Sequence, residues 1–96
     1  MARTVTWEEG LVMDSIDPAD VASYDIDVTS FLEGDAITGV SAVGTNITVS
    51  DTTFAGFIIT VLVSAGTTGA RAKVRFQVTT ATETHNRSFF IPIKSL

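Results

Sequence analysis

Arg71-Ala72-Lys73-Val74-Arg75-Phe76-Gln77-Val78 is the most regular stretch of the sequence. Its apolar residues occupy every second position, and polar residues, most of them basic, fill the positions between. An extended strand places alternate side chains on opposite faces, whereas a helix brings together residues three and four apart. The stretch therefore predicts a half-buried β-strand with an apolar face on a core and a basic face towards solvent.

The overall composition also favours strands over helices. Thr, Val and Ile together account for 34 of the 96 residues, whereas Leu, Glu and Lys together account for 10. β-Branched side chains lose rotamer freedom in a helix but pack well on a pleated sheet. The length suits one domain, so we expect a single all-β core.

Other segments of the chain show weaker versions of the same pattern. Residues 24–28 alternate between apolar and acidic residues, which predicts a half-buried strand. Residues 29–34 offer a hydroxyl cap and a terminal glycine, which fits one helical turn. Residues 54–64 are apolar on both faces, which predicts a central strand. In the last strand, Pro92 lacks an N–H donor, so it is expected at a sheet edge or a bulge.

The middle of the chain predicts a hairpin. Residues 36–43 and 46–50 both have strand character, and Gly44-Thr45 separates them. The polar run at 50–53 is expected to end the second of these strands. In total, about six to seven short strands at turn-like spacings predict a β-sandwich or a small barrel.

Few residues in the sequence can support catalysis or metal binding. There is no cysteine, which excludes disulfides, thiolate nucleophiles and zinc–thiolate sites, and His85 is the only histidine. No motif supplies His85 with a nucleophile and an orienting acid, so we expect a polar loop histidine and no enzyme activity. Aspartates could gather around calcium, but they lack EF-hand spacing, and solvated or arginine-paired carboxylates explain them equally well. We therefore expect no catalytic residue, no metal site and no cofactor; the aspartates considered are Asp14, Asp17, Asp20, Asp25, Asp27 and Asp35.

The net charge argues against a nucleic-acid partner. The chain carries −5 at neutral pH and has a pI near 4.5, whereas phosphate binding needs a basic surface. The N-terminal residues lack a long apolar run, so no signal peptide is expected, and synthesis in a cytoplasm is the expectation. No segment is long and apolar enough to predict a membrane span.

The charges are distributed unequally along the chain. Residues 1–51 hold ten of the eleven acids and one base, which makes −9, and residues 52–96 make +4. Two arrangements could satisfy this split: the acidic strand could pair beside the basic strand within one sheet, or acidic and basic faces could meet between subunits. In the second arrangement Arg71, Lys73 and Arg75 are candidate interface residues.

The first sixteen residues form a candidate N-terminal arm. They mix apolar and acidic residues and are too short to form a core of their own. Such an arm must fold back onto its own domain, as an added strand, or dock onto a neighbouring subunit, which is the arrangement we favour from the sequence. Its apolar residues are then candidate interface residues, namely Val5, Trp7, Leu11, Val12 and Met13.

Two groups of residues are candidate structural turns. Asp17 can accept backbone hydrogen bonds in an Asx-type turn with Asp20 nearby, and Pro18 restricts the backbone that enters the first strand. Gly66 and Gly69 flank Thr67-Thr68 and are expected to supply positive φ angles in a hairpin connection, with a functional loop tip as the alternative.

Several blocks of the sequence resemble a known family. Asp17-Pro18-Ala19-Asp20-Val21, Tyr24-Asp25-Ile26-Asp27 and Leu32-Glu33-Gly34-Asp35-Ala36-Ile37 are similar to the opening of the small phage virion proteins called fiber-tail adaptors. The similarity continues through Gly66-Thr67-Thr68-Gly69 and Arg87-Ser88-Phe89 and covers about residues 17–93. The family often has Trp where this chain has Val28 and Ala42.

The resemblance implies an architecture and a role. The expected fold is an all-β, immunoglobulin-like β-sandwich of about six to seven strands with one short helical turn, formed by residues 17–96 after an arm at 1–16. The expected function is that of a non-enzymatic virion protein, made in the host bacterial cytoplasm, that links tail or neck to fibers. Its expected partners are other virion proteins of the head-tail connector, tail or fiber, and further copies of itself. A carbohydrate- or calcium-binding adhesion module of similar fold is the alternative.

Overall fold

The structure is a computed structural model that describes residues 3–96. Within this range the chain forms seven strands and one helical turn, in two sheets. The elements are β1 (Arg3–Thr6), β2 (Ala22–Asp27), α1 (Thr29–Leu32), β3 (Ile37–Thr45), β4 (Thr48–Ala55), β5 (Ile58–Ser64), β6 (Arg71–Thr80) and β7 (Thr84–Pro92).

The two sheets pack face to face as a sandwich. The four-stranded sheet has the order β1-β2-β5-β4, and the three-stranded sheet has the order β3-β6-β7. Between them lie the largest fully buried side chains, among them Tyr24, Phe76 and Phe89. Since strands present alternate residues to this layer, packing the sheets removes the apolar faces of β2, β5, β6 and β7 from water. The all-β sandwich predicted from the sequence is thus confirmed.

β6 shows the strict alternation on which that prediction rested. Its even-numbered residues from Ala72 to Val78 are fully buried, and its basic residues are exposed. β5 lies between β2 and β4 and is central in its sheet, as predicted. β7 is an outer strand of the three-stranded sheet, so Pro92 lies at an edge as expected.

The hairpin predicted for residues 36–50 is wrong. β3 belongs to the three-stranded sheet and β4 to the four-stranded sheet, so the chain crosses between sheets where a hairpin turn was expected. Asn46 adopts a left-handed φ of 63° at this crossing, and Ile47 turns into the core with 7% of its surface exposed. β4 instead forms a hairpin with β5 through Gly56, whose φ is 59°.

The polar residues at 50–53 do not end a strand. They continue β4 to Ala55, with a register shift between Val49 and Asp51. β4 is the outer strand of its sheet, and such strands tolerate polar residues because one side of the strand faces water. The bulge also twists the edge away from a regular pairing surface.

Residues 3–16 of the N-terminal segment lie on this chain's own sandwich in the structure. β1 pairs in parallel with β2, and Met13 and Ile16 are buried in the common core. Between β1 and Ile16 the chain passes from the edge of the four-stranded sheet to the edge of β7. Fold-back onto the same chain, which was the less favoured of the two expected arrangements, is the one seen here.

Candidate functional site

The outer surface of the three-stranded sheet is basic. Arg71, Lys73 and Arg75 stand at alternate positions of β6, exposed, and together they form what we call the basic face. Their cross-strand partners on β3 and β7 point to the same side, because directly opposed residues of antiparallel strands share a face. None of these outward partners is acidic. The basic face is therefore a charged surface without a counter-charge on its own strands.

The basic face also contains apolar surface. Val43, opposite Arg75 on β3, is 65% exposed. The guanidinium carbon of Arg71 lies 4.6 Å from the centroid of the Phe90 ring, a cation–π contact that covers part of that ring. Arginine and aromatic residues are enriched at protein–protein interfaces, so this part of the basic face resembles such a surface in composition.

The outer surface of the four-stranded sheet is acidic. Asp25 and Asp27 point outward from β2, and Asp51 points outward from β4, opposite Leu62 of β5. These three carboxylates form what we call the acidic face. The outward positions of β2, β4 and β5 carry no basic residue, and Ile58 and Leu62, both half-buried, add apolar surface between the acids.

Hydrogen bonds hold two of these carboxylates in place. The Thr60 hydroxyl donates to Asp25 Oδ1 at 2.7 Å. The Thr29 hydroxyl and backbone N–H both donate to Asp27 Oδ1, at 2.6 and 2.9 Å. These two bonds from Thr29 lower the pKa of Asp27, because they favour the charged carboxylate. The Thr29 hydroxyl therefore donates to Asp27. The sequence suggested that this hydroxyl caps α1, but the helical turn has no side-chain cap hydrogen bond.

The acidic and basic strands do not lie side by side. β2 belongs to one sheet and β6 to the other, so the expectation that they pair within one sheet is wrong. In the part of the chain that the structure describes, no lysine or arginine lies within 4.0 Å of an acid, and the only acid–base side-chain contact is between Glu83 and His85, at 3.6 Å. The two faces therefore point away from each other on opposite sides of the sandwich, and among the described side chains neither has a salt-bridge partner.

The acidic face was only partly visible in the sequence. The shared orientation of Asp25 and Asp27 follows from period-two spacing within one strand. Asp51 was missed because its polar neighbours suggested a turn. The sequence does contain an alternation from Asp51 to Ala55. This alternation indicates one face of an edge strand only if β4 is known to continue through the polar residues.

An aromatic cluster holds the beginning of the chain on the sandwich. The Trp7 ring meets Phe31 edge-on at 5.3 Å, and its Nε1 donates to the Ser88 carbonyl oxygen at 3.0 Å. The Arg87 guanidinium lies over both rings, 5.4 Å from the centroid of Trp7 and 4.5 Å from that of Phe31. These contacts use Trp7 as an internal anchor, so its ring is not a free surface for a neighbour.

The other apolar residues of the N-terminal segment differ in exposure. Val5 and Leu11 are partly buried against the core, and Met13 is only 6% exposed. Val12 is 43% exposed and forms a parallel bridge with Phe90 at the rim of the basic face. The structure thus separates the candidate interface residues. Arg71, Lys73 and Arg75, with Val12 at their rim, lie at the surface, whereas the others pack inward.

The Asp17 turn ties together distant parts of the chain. Its Oδ1 accepts from the N–H of Ala19 at 2.9 Å, and its Oδ2 accepts from the N–H of Leu96 at 3.0 Å. In return the Asp20 carboxylate accepts from the Asp17 N–H at 2.9 Å, and Pro18 stands between them. The two bonds that Asp17 accepts lower its pKa, with the Leu96 bond contributing most.

The two glycines beside Thr67-Thr68 serve different purposes. Gly69 has a φ of 80°, which a β-carbon disfavours. Gly66 is outside the positive-φ region, but an added Cβ would lie 2.7 Å from Ile93 Cδ1, so the buried Ile93 side chain would have to shift. The positive φ expected at both positions is therefore present only at Gly69. The expected hairpin connection is wrong, because β5 and β6 belong to different sheets and the chain crosses between them here.

The remaining chemistry-bearing residues do not gather. Among the residues that the structure describes, no three His, Asp or Glu side chains lie close enough to hold a metal ion, so the aspartates are dispersed. His85 packs beside the Phe31 ring at 5.4 Å, with 17% of its side chain exposed. No helix within residues 3–96 is long and apolar enough to cross a membrane.

Comparison with known proteins gives one family match. The model of the podophage GP4 fiber-tail adaptor protein gp77 matches residues 17–92. No curated protein matches the chain. Among solved structures the chain is similar to the cysteine protease inhibitor EhICP2 from Entamoeba histolytica, with 10% identity, a TM-score of 0.55 and coverage of 97% of this chain and 95% of the other. It is also similar to Amebosin, with 6% identity, a TM-score of 0.45 and coverage of 98% and 99%.

The two kinds of similarity carry different weight. At 10% identity the likeness to the protease inhibitor shows a shared fold alone. The family match follows the sequence from the Asp17 turn to Pro92 at the end of β7, and thus spans β2 to β7 and most of the sandwich. The chain therefore belongs to the family of podophage GP4 fiber-tail adaptor proteins.

Proposed function

We propose that this chain is a non-enzymatic structural protein of a podophage virion, an immunoglobulin-like adaptor that links the tail or neck to the fibers. The family match over residues 17–92 carries the proposal. The seven-stranded, two-sheet sandwich supports it, since such a fold presents two large flat surfaces on a rigid core. A rigid body with two opposed contact surfaces suits a component that joins two neighbours.

The surfaces of the molecule support contacts with proteins. The basic and acidic faces both combine unpaired charges with apolar side chains, of which Val43 is the most exposed on a strand. Complementary charge steers partners and fixes their orientation. The partners we propose are other virion proteins of the connector, tail or fiber, and further copies of this chain, with neither nucleic acid nor a membrane among them. The protein would be made in the cytoplasm of the host bacterium.

Particle assembly tests the adaptor role. Phage carrying a stop codon in the gene for this chain should yield particles with filled heads and tails but no fibers, as seen by electron microscopy. Adding the purified chain together with purified fibers should restore fibers and infectivity. As a control, the added protein can carry Phe76→Ala, which removes a fully buried ring and should lower the restoring activity by unfolding. Particles that lack this chain and still carry fibers would contradict the proposal.

The alternative of an adhesion module predicts a different result. Such a protein would bind carbohydrate or calcium by itself, and its loss would leave the fibers attached while reducing adsorption to cells. Fiber attachment and adsorption can be scored on the same particles, so the two functions are distinguishable. For its calcium-binding form, residues 3–96 offer no cluster of three or more metal-ligating side chains.

A further inference from the structure

We propose that copies of this chain associate head to tail, with the basic face of one copy (Arg71, Lys73 and Arg75) against the acidic face of the next (Asp25, Asp27 and Asp51). This inference deepens the proposed function, on which the presence of several copies in one particle rests. Its occupant is a second copy of the chain, because the chain itself carries the surface that complements each face.

The charge arrangement is the first argument. Three bases point outward from β6 and three acids point outward from the opposite sheet, and the part of the chain that the structure describes pairs none of them in an ion pair. Along the segment that borders β7, Glu9 and Asp14 are exposed at the rim, on the side of the basic face away from β3. The centre of the basic face remains positive, and the opposite side of the molecule is negative.

The dimensions of the faces are the second argument. The molecule measures 41 × 22 × 22 Å, so one long side offers about 900 Å², close to the roughly 800 Å² per partner of a standard specific interface. Both faces also hold apolar side chains beside the charges. Val43 and Phe90 lie on the basic face, and Ile58 and Leu62 lie on the acidic face. Stacking the two faces would bury these side chains while it neutralises the charges.

Because the faces lie on opposite sides of one chain, the contact is heterologous. Each copy would use one surface to bind the preceding copy and the other to bind the following copy. Heterologous contacts generate a closed ring when the rotation between copies closes, and an open filament when it does not. The head-to-tail contact is thus the same in a ring and in a filament, and the rotation between successive copies decides which of the two forms.

Charge reversal on each face tests the pairing. The basic-reversed variant carries Lys73→Glu and Arg75→Glu, and keeps Arg71 because that side chain packs on Phe90. The acid-reversed variant carries Asp25→Lys and Asp51→Lys, and keeps Asp27 because it binds Thr29. By sedimentation velocity, the wild type should form oligomers, and each reversed variant should sediment as a monomer. An equimolar mixture of the two variants should form oligomers again, since one now has two acidic faces and the other two basic faces.

Salt and a matched control sharpen this result. Wild-type oligomers should be abundant in about 0.1 M salt, where the Debye length is about 10 Å, and largely lost in about 1 M salt, where it is about 3 Å. Arg75→Glu and Lys94→Glu change the net charge equally, but Lys94 lies beyond β7 and outside the basic face. The first should weaken association at least tenfold, and the second should leave it within about twofold. Circular dichroism checks that every variant is folded. Lys73→Gln with Arg75→Gln replaces the basic-reversed variant if that variant is unfolded, and Asp25→Asn with Asp51→Asn replaces the acid-reversed variant in the same case.

Three results would overturn the inference. These are a wild type that stays monomeric up to about 1 mM in low salt, reversed variants that associate as well as the wild type, and a mixture that remains monomeric. The fiber-restoration assay separates this inference from the adaptor role. A monomeric chain that restores fibers refutes only the head-to-tail contact, whereas a chain that oligomerises but restores no fibers refutes only the adaptor role.

Discussion

The indole Nε1 of Trp7 donates a 3.0 Å hydrogen bond to the carbonyl oxygen of Ser88, 81 residues further along the chain. The bond joins the segment after β1, on the four-stranded sheet, to β7 of the three-stranded sheet. The N-terminal segment thus contributes to the contact between the two sheets, in addition to extending one of them.

This bond leads to a prediction about stability. Trp7→Ala should lower the free energy of unfolding by about 2 to 3 kcal/mol, somewhat less than the 3 to 5 typical of a fully buried ring, because Trp7 is only half-buried. Trp7→Phe keeps the ring and loses the hydrogen bond, so it should cost about 1 kcal/mol. Urea unfolding followed by circular dichroism measures both. If Trp7→Ala unfolds at the wild-type urea concentration, the segment does not hold the sandwich together.

β6 predicts a large contrast between its two faces. Phe76 is fully buried, so Phe76→Ala should cost about 3 to 5 kcal/mol. Lys73 is exposed, and Lys73→Ala should cost under about 1 kcal/mol. Thermal or urea unfolding of the two variants makes the comparison. Equal effects would mean that the register of the strand is misassigned.

Two glycines of β3 form a matched pair for a steric test. A β-carbon at Gly44 would collide with the backbone carbonyl of Ile47 at the crossing between sheets, whereas one at Gly39 would meet no atom within 4 Å. We expect Gly44→Ala to destabilise the protein by about 1 to 3 kcal/mol or more, since backbone atoms must move. Gly39→Ala should be neutral or stabilising by up to about 1 kcal/mol. A tolerated Gly44→Ala, measured by the same unfolding curves, would contradict the crossing described here.

The lowered pKa of Asp17 predicts that the free energy of unfolding decreases at acidic pH. Hydrogen bonds from Leu96 and Ala19 lower its folded-state pKa below the ordinary value of 3.8, so the unfolded state binds its proton more readily. Its contribution is therefore complete above that value and is lost as the pH falls through the folded pKa. Asp17→Asn should make the urea midpoint less sensitive to pH below about 4. Part of the sensitivity should remain, because the pKa of Asp27 is lowered as well.

Asp14→Asn is the control for that experiment, since Asp14 is exposed and outside the turn. It should leave the pH dependence of the urea midpoint unchanged. An unchanged slope in Asp17→Asn as well would show that the bonds to Leu96 and Ala19 do not persist in solution.

Calcium should not stabilise the protein. Asp17, Asp25 and Asp27 already accept hydrogen bonds from the backbone or from threonine hydroxyls, and the described residues form no metal-ligating group. The melting temperature should be the same in EDTA and in millimolar calcium. A rise of several degrees with calcium, and none with magnesium, would favour the adhesion module instead.

Local patterns predicted those features that depend on a single strand. The alternation in β6, the two-sided apolar character of β5 and the edge position of Pro92 each follow from side-chain chemistry within a few residues. These strand features are correct because no distant residue is needed to decide them. The number of strands left a sandwich and a barrel open, and the family resemblance implied the sandwich.

The errors concern choices that are made between distant segments. Gly44-Thr45 and Asn46 have the composition of a hairpin turn, but the burial of Ile47 sends the next strand into the other sheet. The sheet to which the acidic or the basic strand belongs is also a choice between distant segments. Period-two spacing shows which face of a strand a charged side chain occupies, but it does not show which sheet contains that strand. The fold-back of the N-terminal segment was one of two arrangements left open by the sequence, because the contacts that hold the segment come from Phe31 and Arg87, which are remote in the sequence.

The parallel run of the N-terminal segment beside β7 has a mechanical consequence. Four backbone hydrogen bonds join the two: Met13 N to Phe90 O, Phe90 N to Leu11 O, Ile16 N to Pro92 O, and Lys94 N to Ile16 O. A pull that draws the two ends of the chain apart acts along these parallel segments, so it loads the bonds together in shear instead of opening them one after another. An adaptor that holds a fiber, as proposed above, experiences a pulling force whenever the fiber binds a surface. These four hydrogen bonds would help the domain to resist that force without unfolding from its ends.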